Sequence, residues 1–281
     1  MNDRTKNVLI TGTSSGIGLA TAVGAAKSGW GVIATMRDVG KSQRLLEAAE
    51  VEGVANRIVV SQLDVTSEES VRLCLKDTLA RFGRLDAVIN NAGSGSLGTL
   101  EQGTVADVRK VFETNFFGVL NLTHAALPAL RSSQGRLLNV TSVGGVVSQP
   151  FNEAYSAAKF AVEGFMEALA PVAATVGVSV SVVEPGAVAS EFVKNIGLDE
   201  SFIEAAGPYA APLSKYVSRS LQAFEGAQTP EDAATSIIDL LNQENPAFRI
   251  QTSEAARNMV ALKISDLDGS TVQQIMRSWL V

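Results

Sequence analysis

The sequence predicts an α/β fold in which a doubly wound parallel sheet of about seven strands carries helices on both faces. Two observations predict it. Short apolar runs rich in β-branched residues recur along the whole chain, and between them lie segments long enough for helices. Strands that are apolar on both faces, each followed by a crossover helix, form a sheet of this kind.

The predicted elements follow one another in regular order. The strands cover residues 8–11, 31–35, 58–63, 87–90, 136–140, 178–183 and 248–252. The helices cover residues 16–28, 42–52, 67–82, 104–130, 154–175 and 230–241. Start signals support three of the helices, because Ser67, Thr104 and Thr229 each have an acidic residue within the next three positions.

One domain spanning 1–281 is expected. A chain of 281 residues and 29.4 kDa can form one large core, and no linker-like tract interrupts it. The segment at about 186–227 is mixed in polarity and contains several glycines and prolines. Insertions of that length in a compact domain commonly cover a ligand, so this segment is predicted to be a substrate-binding insertion.

Composition excludes several classes of protein. A net charge of -6 and a pI near 5.0 give no basic surface for a phosphate backbone, so no nucleic-acid partner is expected. With one cysteine, Cys74, and one histidine, His124, neither a disulfide framework nor a Cys/His metal site is expected. Since no leader-like or transmembrane segment is recognisable, the expected location is cytoplasmic.

A glycine-rich turn follows the first strand and opens the first helix, with the sequence Thr11-Gly12-Thr13-Ser14-Ser15-Gly16-Ile17-Gly18. Gly12 permits the tight turn, Gly16 lets a pyrophosphate approach the backbone, and Gly18 lets the helix pack closely on the sheet. Helix N–H groups then face the anion. The turn predicts a dinucleotide-binding fold of the Rossmann type, with a merely tight turn as the alternative.

The end of the second strand is expected to distinguish NADP from NAD. An acidic residue there accepts from the ribose 2′-hydroxyl of NAD, whereas an arginine pairs with the 2′-phosphate of NADP. Neutral residues precede Arg37, which favours NADP(H) over NAD(H), although Asp38 could fold back to the ribose. Asp64, after the third strand, could accept from an adenine amine or cap the helix near Ser67.

Four residues are candidates for the reaction. Tyr155 and Lys159 are four residues apart near a helix start, so both side chains point from one face and the ammonium can approach the phenol. A nearby cation lowers the pKa of a tyrosine toward the range useful for acid/base work. Ser142 follows the fifth strand, where its hydroxyl could hold a substrate oxygen. Asn115 lies inside the long predicted helix with no packing reason to be there.

Together these motifs resemble the short-chain dehydrogenase/reductase family. The resemblance covers residues 5 to about 190, and the motifs beyond the glycine turn are Asp64, Asn90-Asn91-Ala92-Gly93, Asn115, Ser142, Tyr155 with Lys159, and Pro185-Gly186. Within the family, the stretches around residues 34–38 and 142–161 look most like the 17-beta-hydroxysteroid dehydrogenases and the retinol dehydrogenases near them.

The resemblance implies an NADP(H)-dependent oxidoreductase with a proton relay. Tyr155 would be the general acid/base, Ser142 would orient the substrate oxygen, and Asn115 would hold a water. Lys159 would bind the nicotinamide ribose and lower the pKa of Tyr155. The predicted cofactor-binding residues are Gly12, Ser14, Ser15, Gly16, Ile17, Gly18, Arg37, Asp64, Val65, Asn91, Ala92, Gly93, Tyr155, Lys159, Pro185, Gly186, Val188 and Ser190.

The expected substrate is a carbonyl or alcohol on a bulky apolar molecule: a steroid, a retinoid, or an aryl or polyketide-type ketone. Ser142, Tyr155, Val143, Phe151 and Phe192 are predicted to contact it. A homodimer through helices 104–130 and 154–175 is expected, with a tetramer as the alternative. Two other functions stay open: an epimerase or dehydratase of the extended class, and a non-catalytic NADP-binding sensor.

Overall fold

The computed structural model describes residues 5–189 and 200–281. Its sheet is parallel and has the strand order β3-β2-β1-β4-β5-β6-β7. The strands are β1 Asn7–Thr11, β2 Gly31–Met36, β3 Ile58–Gln62, β4 Ala87–Asn90, β5 Arg136–Val140, β6 Ser179–Glu184 and β7 Arg249–Gln251. The predicted sheet is thereby confirmed, with each strand end within two residues of its predicted position.

Helices pack on both faces of this sheet. They are α1 Gly16–Lys27, α2 Gln43–Val51, α3 Glu68–Phe82, α4 Val105–Phe112, α5 Gly118–Ser133, α6 Glu153–Ala174, α7 Glu200–Glu204, α8 Ala210–Glu225, α9 Pro230–Asn242, α10 Glu254–Ser265 and α11 Ser270–Ser278. The residues predicted to start three of these helices act as N-caps in the structure. The Ser67 hydroxyl accepts from the Ser70 amide, and Thr104 and Thr229 each form a reciprocal capping box with an aspartate.

Alternate residues of each central strand enter two different cores, because successive side chains of a strand point to opposite faces. Val8 and Ile10 of β1 pack with α1, α2 and α9 on one face, whereas Leu9 packs with α3, α5 and α6 on the other. All three side chains are fully buried. The two apolar layers enclose the sheet and support the residues at the carboxyl ends of its strands.

The helix predicted over residues 104–130 is present, but it is not a regular α-helix throughout. The structure has α4, then a π-helical turn at Glu113–Phe117, then α5. A π turn adds one residue to the helical turn, which the 3.6-residue apolar pattern does not reveal. It turns the side chain of Asn115 inward, where it is fully buried.

The C-terminal third contains helices that the sequence analysis did not predict. Within the described part of the insertion, α7 and α8 replace the expected irregular chain. Pro212, one of the prolines of this segment, lies in the first turn of α8, where a missing N–H costs no intrahelical bond. After β7, α10 and α11 bring the chain back toward the carboxyl edge of the sheet. In the described ranges, no helix is both long and apolar enough to cross a membrane.

Candidate active site

A cleft of about 1050 Å³ runs along the carboxyl edge of the sheet. Its glycine end is lined by Gly12, Ser14, Ser15, Gly16, Ile17, Gly18, Met36, Arg37, Lys41, Arg44, Asp64, Val65, Asn91, Ala92 and Gly93. Its apolar end is lined by Leu97, Val143, Gln149, Asn152, Tyr216, Val217, Phe224, Ala256, Met259 and Trp279. Between the two ends lie Ser142, Tyr155, Lys159, Pro185, Gly186 and Val188.

The glycine turn is packed so closely that side chains cannot be added. A Cβ on Gly18 would lie 2.2 Å from the Gly12 carbonyl oxygen and 2.4 Å from Nδ2 of Asn91. Gly12 itself has a φ of 71°, in the left-handed region that favours glycine. The Asn91 amide donates to the carbonyl oxygens of Thr11 and Gly12 at 2.8 and 3.2 Å. Asn91 therefore ties the end of β4 to the turn, which fixes the turn's shape.

The start of α1 faces the cleft with donors suited to an anion. The first N–H groups of a helix have no intrahelical acceptor, and the helix dipole adds partial positive charge there. Ser15 is the N-cap residue, and its hydroxyl makes no capping bond to the helix. Because Ser14, Ser15 and Ile17 all line the cleft, the donor set and the narrow glycine turn fit the pyrophosphate of a dinucleotide.

Positive charge is concentrated beside this turn. Arg37, Lys41 and Arg44 line the cleft after β2, and Met36 occupies the position where an acidic residue would bind a 2′-hydroxyl. Asp38 is instead used locally, since its Oδ1 accepts from the Gly40 amide at 2.9 Å. Arg37 is predicted from the sequence, whereas Lys41 and Arg44 are not, although their spacing after the strand could have indicated them.

Asp64 and Val65 line the cleft at the end of β3. Oδ1 of Asp64 accepts from the amide and the hydroxyl of Thr66, at 3.0 and 2.8 Å. The helix cap is supplied by Ser67, so capping does not explain Asp64. Val65 is buried against Gly118 of α5.

Ser142 and Tyr155 meet at the centre of the cleft. The two hydroxyls are hydrogen-bonded, and the Ser142 oxygen also accepts from the Gly144 amide at 2.9 Å. A Cβ on Gly144 would lie 3.3 Å from both Oγ of Ser142 and the Tyr155 ring, so this turn leaves little room for a side chain. Burial raises the pKa of the Tyr155 phenol, and the bond to Ser142 opposes that rise.

Lys159 lies one turn after Tyr155 on α6 and is buried. Its ammonium donates to the Val140 carbonyl oxygen at 2.9 Å and lies 5.9 Å from the centre of the Tyr155 ring. Burial lowers the pKa of Lys159 to about 8, and the charge of Glu163 counteracts the lowering. The expected lowering of the Tyr155 pKa by Lys159 is not seen in this arrangement, where desolvation dominates and raises it.

Asn115 forms a bidentate clamp on the backbone of Ser94. Its Oδ1 accepts from the Ser94 amide and its Nδ2 donates to the Ser94 carbonyl oxygen, both at 2.8 Å. A Cβ on Gly93 would lie 3.2 Å from this Oδ1 and 3.7 Å from Nζ of Lys159. Asn115 is thus close to Lys159, and both polar atoms of its side chain are engaged with protein.

The loop after β6 lines the cleft beside the turn that follows β5. The Val143 amide donates to the Pro185 carbonyl oxygen at 2.9 Å, which joins this loop to the turn that carries Ser142. Gly186 faces α10, since a Cβ there would lie 3.4 Å from Oγ of Ser253. Ser190, predicted to bind the cofactor, and Phe192, predicted to bind substrate, lie outside the described residues.

The apolar end is built from the predicted insertion, whose helix α8 was not expected, and from helices after β7 that the sequence did not predict. α8 contributes Tyr216, Val217 and Phe224, whose spacing on one face could have revealed the helix. Trp279, next to the end of the described chain, has no local signal that would place it in the cleft. Phe151, a predicted substrate residue, is buried with Tyr216 in a neighbouring cluster and does not line the cleft.

Several polar side chains interrupt the apolar lining, among them Arg219 and Ser220. The Tyr216 hydroxyl donates to Oε1 of Gln149 and accepts from Nδ2 of Asn152, at 2.9 and 2.7 Å. All three residues line the cleft. Farther out, the Arg219 guanidinium lies 4.8 Å from the centre of the Trp279 ring. The apolar end is therefore closed by a tyrosine and a tryptophan whose polar neighbours hold them in position.

Comparison with known proteins assigns the class. The chain is one of the oxidoreductases that bind a nicotinamide cofactor. It belongs to the short chain dehydrogenase family, whose model matches residues 6–201. Retinol dehydrogenase 8 of Bos taurus is 40% identical over 279 residues, 96% of this chain and 88% of that protein. The 17-beta-hydroxysteroid dehydrogenase type 1 of Homo sapiens is 35% identical over 271 residues, 94% of this chain and 82% of that protein. The predicted resemblance is confirmed.

Solved structures agree with this assignment. A short-chain dehydrogenase from Streptomyces avermitilis superposes with a TM-score of 0.77 at 31% identity, covering 99% of both chains. An alcohol dehydrogenase from Thermococcus sibiricus, complexed with 5-hydroxy-NADP, has a TM-score of 0.72 at 25% identity, covering 88% of this chain and 95% of that one. A Burkholderia phymatum member in complex with NAD shares the fold, with a TM-score of 0.79 at 23% identity and coverage of 95% and 96%. The fold thus accommodates both cofactors.

Proposed function

We propose that this chain is an NADP(H)-dependent oxidoreductase acting on a carbonyl or alcohol of a bulky apolar substrate, such as a steroid, a retinoid or an aryl or polyketide-type ketone. One observation carries the proposal: the hydrogen-bonded Ser142 and Tyr155 hydroxyls lie in one cleft between a dinucleotide-shaped glycine end and an apolar end. When bound, the nicotinamide supplies or accepts the hydride. The protein's side chains orient the substrate and exchange the proton.

Tyr155 exchanges the proton. Because burial raises the pKa of its phenol, the hydroxyl is protonated at neutral pH and serves as a proton donor in the reduction direction. Ser142 holds the substrate oxygen beside it. Lys159, which retains its charge through neutral pH, binds the ribose hydroxyls of the cofactor and supports the proton exchange.

The preference for NADPH rests on charge at the glycine end. Arg37, Lys41 and Arg44 all line the cleft where a 2′-phosphate would lie, and Asp38 is bonded to Gly40. An ion pair between guanidinium and phosphate is a strong, charge-assisted hydrogen bond. No acidic side chain lines the cleft directly after β2 to repel the phosphate.

The substrate class follows from the lining of the apolar end. The side chains that line it include Val143, Val217, Phe224, Met259 and Trp279. Burial of a substrate's apolar surface against them contributes roughly 25 cal/mol of binding free energy per Å². The named specificities of the relatives, for retinol and for a 17-beta-hydroxysteroid, are consistent with such a lining. The polar trio of Gln149, Asn152 and Tyr216 offers one place to bind a polar substituent.

A substrate panel tests this assignment. NADPH oxidation is followed with steroid ketones, retinal, aryl ketones, sugars and short keto acids. We expect turnover with members of the first three groups and none with the last two, because the apolar end has few partners for several hydroxyls or a carboxylate. Activity confined to small charged carbonyls would refute the substrate class and leave the reaction type intact.

The same family relationship supports a homodimer through α4, α5 and α6. Phe117, Phe160 and Phe165 are 45%, 40% and 42% exposed on these elements, and Phe116 contacts two of them edge-on. An aromatic surface of this kind is typical of an interface. Sedimentation velocity is expected to show a dimer at micromolar concentration and a monomer for Phe165→Asp. A wild-type monomer would contradict the proposal.

A further inference from the structure

A buried ionic cluster lies behind the active site, and the function proposed above assigns no role to it. It consists of Thr141, Glu163, Glu184 and Arg249. Oε1 of Glu163 accepts from the Thr141 hydroxyl at 2.5 Å, and its Oε2 lies 3.2 Å from Nη2 of Arg249. Nε of Arg249 lies 2.8 Å from Oε1 of Glu184. Glu163 is 4% exposed and Glu184 0%, so both carboxyls are inside the protein.

The cluster is physically joined to the residues that carry the reaction. Glu163 follows Lys159 by one turn of α6, on the same face. A Cβ on Gly145 would lie 3.2 Å from Cβ of Lys159 and 3.3 Å from Cγ of Glu163, so the turn after Ser142 packs on both stems. Thr141 directly precedes Ser142. A change of charge at Glu163 therefore acts at close range on Lys159.

The contacts of Glu163 distinguish it from Glu184. The Thr141 hydroxyl lies between two acceptors, Oε1 of Glu163 at 2.5 Å and the Val183 carbonyl oxygen at 2.9 Å. Burial raises the pKa of Glu163, while Thr141, Arg249 and Lys159 all oppose that rise. Burial raises the pKa of Glu184 to about 7, so Glu184 takes up a proton near neutrality. Glu163 contacts the Arg249 guanidinium and follows Lys159 by one turn, so it is the carboxyl of the cluster whose negative charge acts on Lys159.

Burying a charged carboxyl costs free energy, because the charge loses its hydration. Ion pairs buried in place of apolar side chains are commonly neutral or unfavourable for stability, so stability alone does not account for the cluster. Lys159 needs a counter-charge, since a buried ammonium tends to lose its proton. The described groups that face Glu163 are Lys159 and Glu167 on α6, Arg249 on β7 and Glu184 on β6.

We infer that Glu163 is a positioning residue of the active site, whose buried negative charge keeps the Lys159 ammonium charged and so sets the upper pH limit of the reaction. The inference rests on the role proposed above for Lys159. The sign follows directly: burial lowers the pKa of Lys159 to about 8 and Glu163 raises it, so removal of the Glu163 charge lowers it further. The active, charged form of Lys159 is then lost at a lower pH.

The test compares pH profiles of kcat for Glu163→Gln and Glu167→Gln. Glu167 is the matched control, because it lies one turn farther along α6, within 3.4 Å of Arg249, and its side chain is 67% exposed. We expect the alkaline fall of kcat to move about one pH unit lower in E163Q, with the plateau below the fall largely retained, and to stay in place in E167Q. Glu163→Asp keeps the charge and is expected to restore the wild-type profile.

A direct titration separates failure of this inference from failure of the proposed function. The cofactor-free protein is labelled with ¹³C-lysine, and the Lys159 Cε signal is assigned by its absence in Lys159→Arg. We expect it to titrate near pH 8 in the wild type and in E167Q, and about one unit lower in E163Q. Identical titration of Lys159 in the wild type and E163Q would overturn the inference, whether or not any ketone is reduced.

If E163Q does not fold, Glu163→Met removes the same charge with an apolar side chain of similar size. Absence of NADPH-linked turnover in the wild type refutes the proposed function alone.

Discussion

The glycine end and the apolar end of the cleft are constructed in opposite ways. At the glycine end, backbone groups of β1, the turn and α1 form the surface around Gly12 and Gly18, where no space is left for a Cβ, and charged side chains such as Arg37 lie only beside it. At the apolar end, side chains from α8, α10 and the segment after α11 form the wall. Tyr216 and Trp279, whose ring centres are 6.4 Å apart, come from regions 63 positions apart.

This difference explains which end can vary. A backbone surface allows few substitutions, because a Cβ collides with atoms that the sheet holds fixed. A side-chain wall can change its chemistry one residue at a time and leave the sheet untouched. One fold can therefore keep its cofactor and take on new substrates by changing α8, α10 and the C-terminal residues.

The largest effect is expected where the two ends meet. Tyr155→Phe removes the proton donor and retains the ring, so kcat is expected to fall by about a hundredfold or more while NADPH affinity changes little. Tyr216→Phe is the matched control, because it removes a hydroxyl from the apolar end only. It should alter KM more than kcat. Steady-state kinetics and a cofactor titration decide, and near wild-type turnover of Y155F would end the proposed role.

The next largest effect is expected at the glycine end. In Gly18→Ala, the new Cβ would meet a backbone oxygen at 2.2 Å, and overpacking of this kind costs about 1–3 kcal/mol. NADPH affinity is expected to fall with it by about tenfold or more. Gly164→Ala, with no atom within 4 Å of the added Cβ, should stabilise α6 by about 0.5–1 kcal/mol and leave cofactor binding unchanged. Chemical denaturation and cofactor titration measure both, and a G18A protein with wild-type affinity would show that the backbone surface is tolerant.

The smallest effect is expected for cofactor choice. Arg37→Ala should weaken NADPH about tenfold and leave NADH nearly unaffected, because the exposed guanidinium contributes one charge-assisted contact and Lys41 and Arg44 remain. Asp38→Asn should change neither affinity, since Asp38 is engaged with Gly40. The ratio of kcat/KM for the two cofactors is the measurement. Equal losses for NADPH and NADH in R37A, or a wild type that prefers NADH, would show that this end does not recognise the phosphate.

The elements that the sequence predicted well are those determined by neighbouring residues. β4 and β5 lie where their apolar runs lie, and the cap at Thr104 forms the box that Asp107 allows. The glycine turn could be located because strand, turn and helix are consecutive. In each case the physical cause is local and can be read within about ten residues.

The elements that it predicted poorly depend on distant contacts. The π turn at Glu113–Phe117 interrupts an apolar pattern that continues through it, and the Asn115 clamp on Ser94 that accompanies the turn joins positions 21 residues apart. Phe151 was assigned to substrate, but its φ of 62° and its packing on Tyr216 direct it into a neighbouring core. Trp279 reaches the cleft only through α10 and α11, which no local pattern connects to Tyr155.

The strand order also determines how the sheet can grow during synthesis. β1 is central, β2 and β3 extend the sheet on one side, and β4 to β7 then extend it on the other. Each strand that leaves the ribosome thus finds an edge already exposed by an earlier strand, and none has to insert between two that are paired. The glycine end can be complete when β4 has docked, while the wall containing Trp279 is finished only with the last residues. The phosphate-binding turn is therefore in place before Lys159, proposed to bind the cofactor ribose, and the substrate wall have been synthesised.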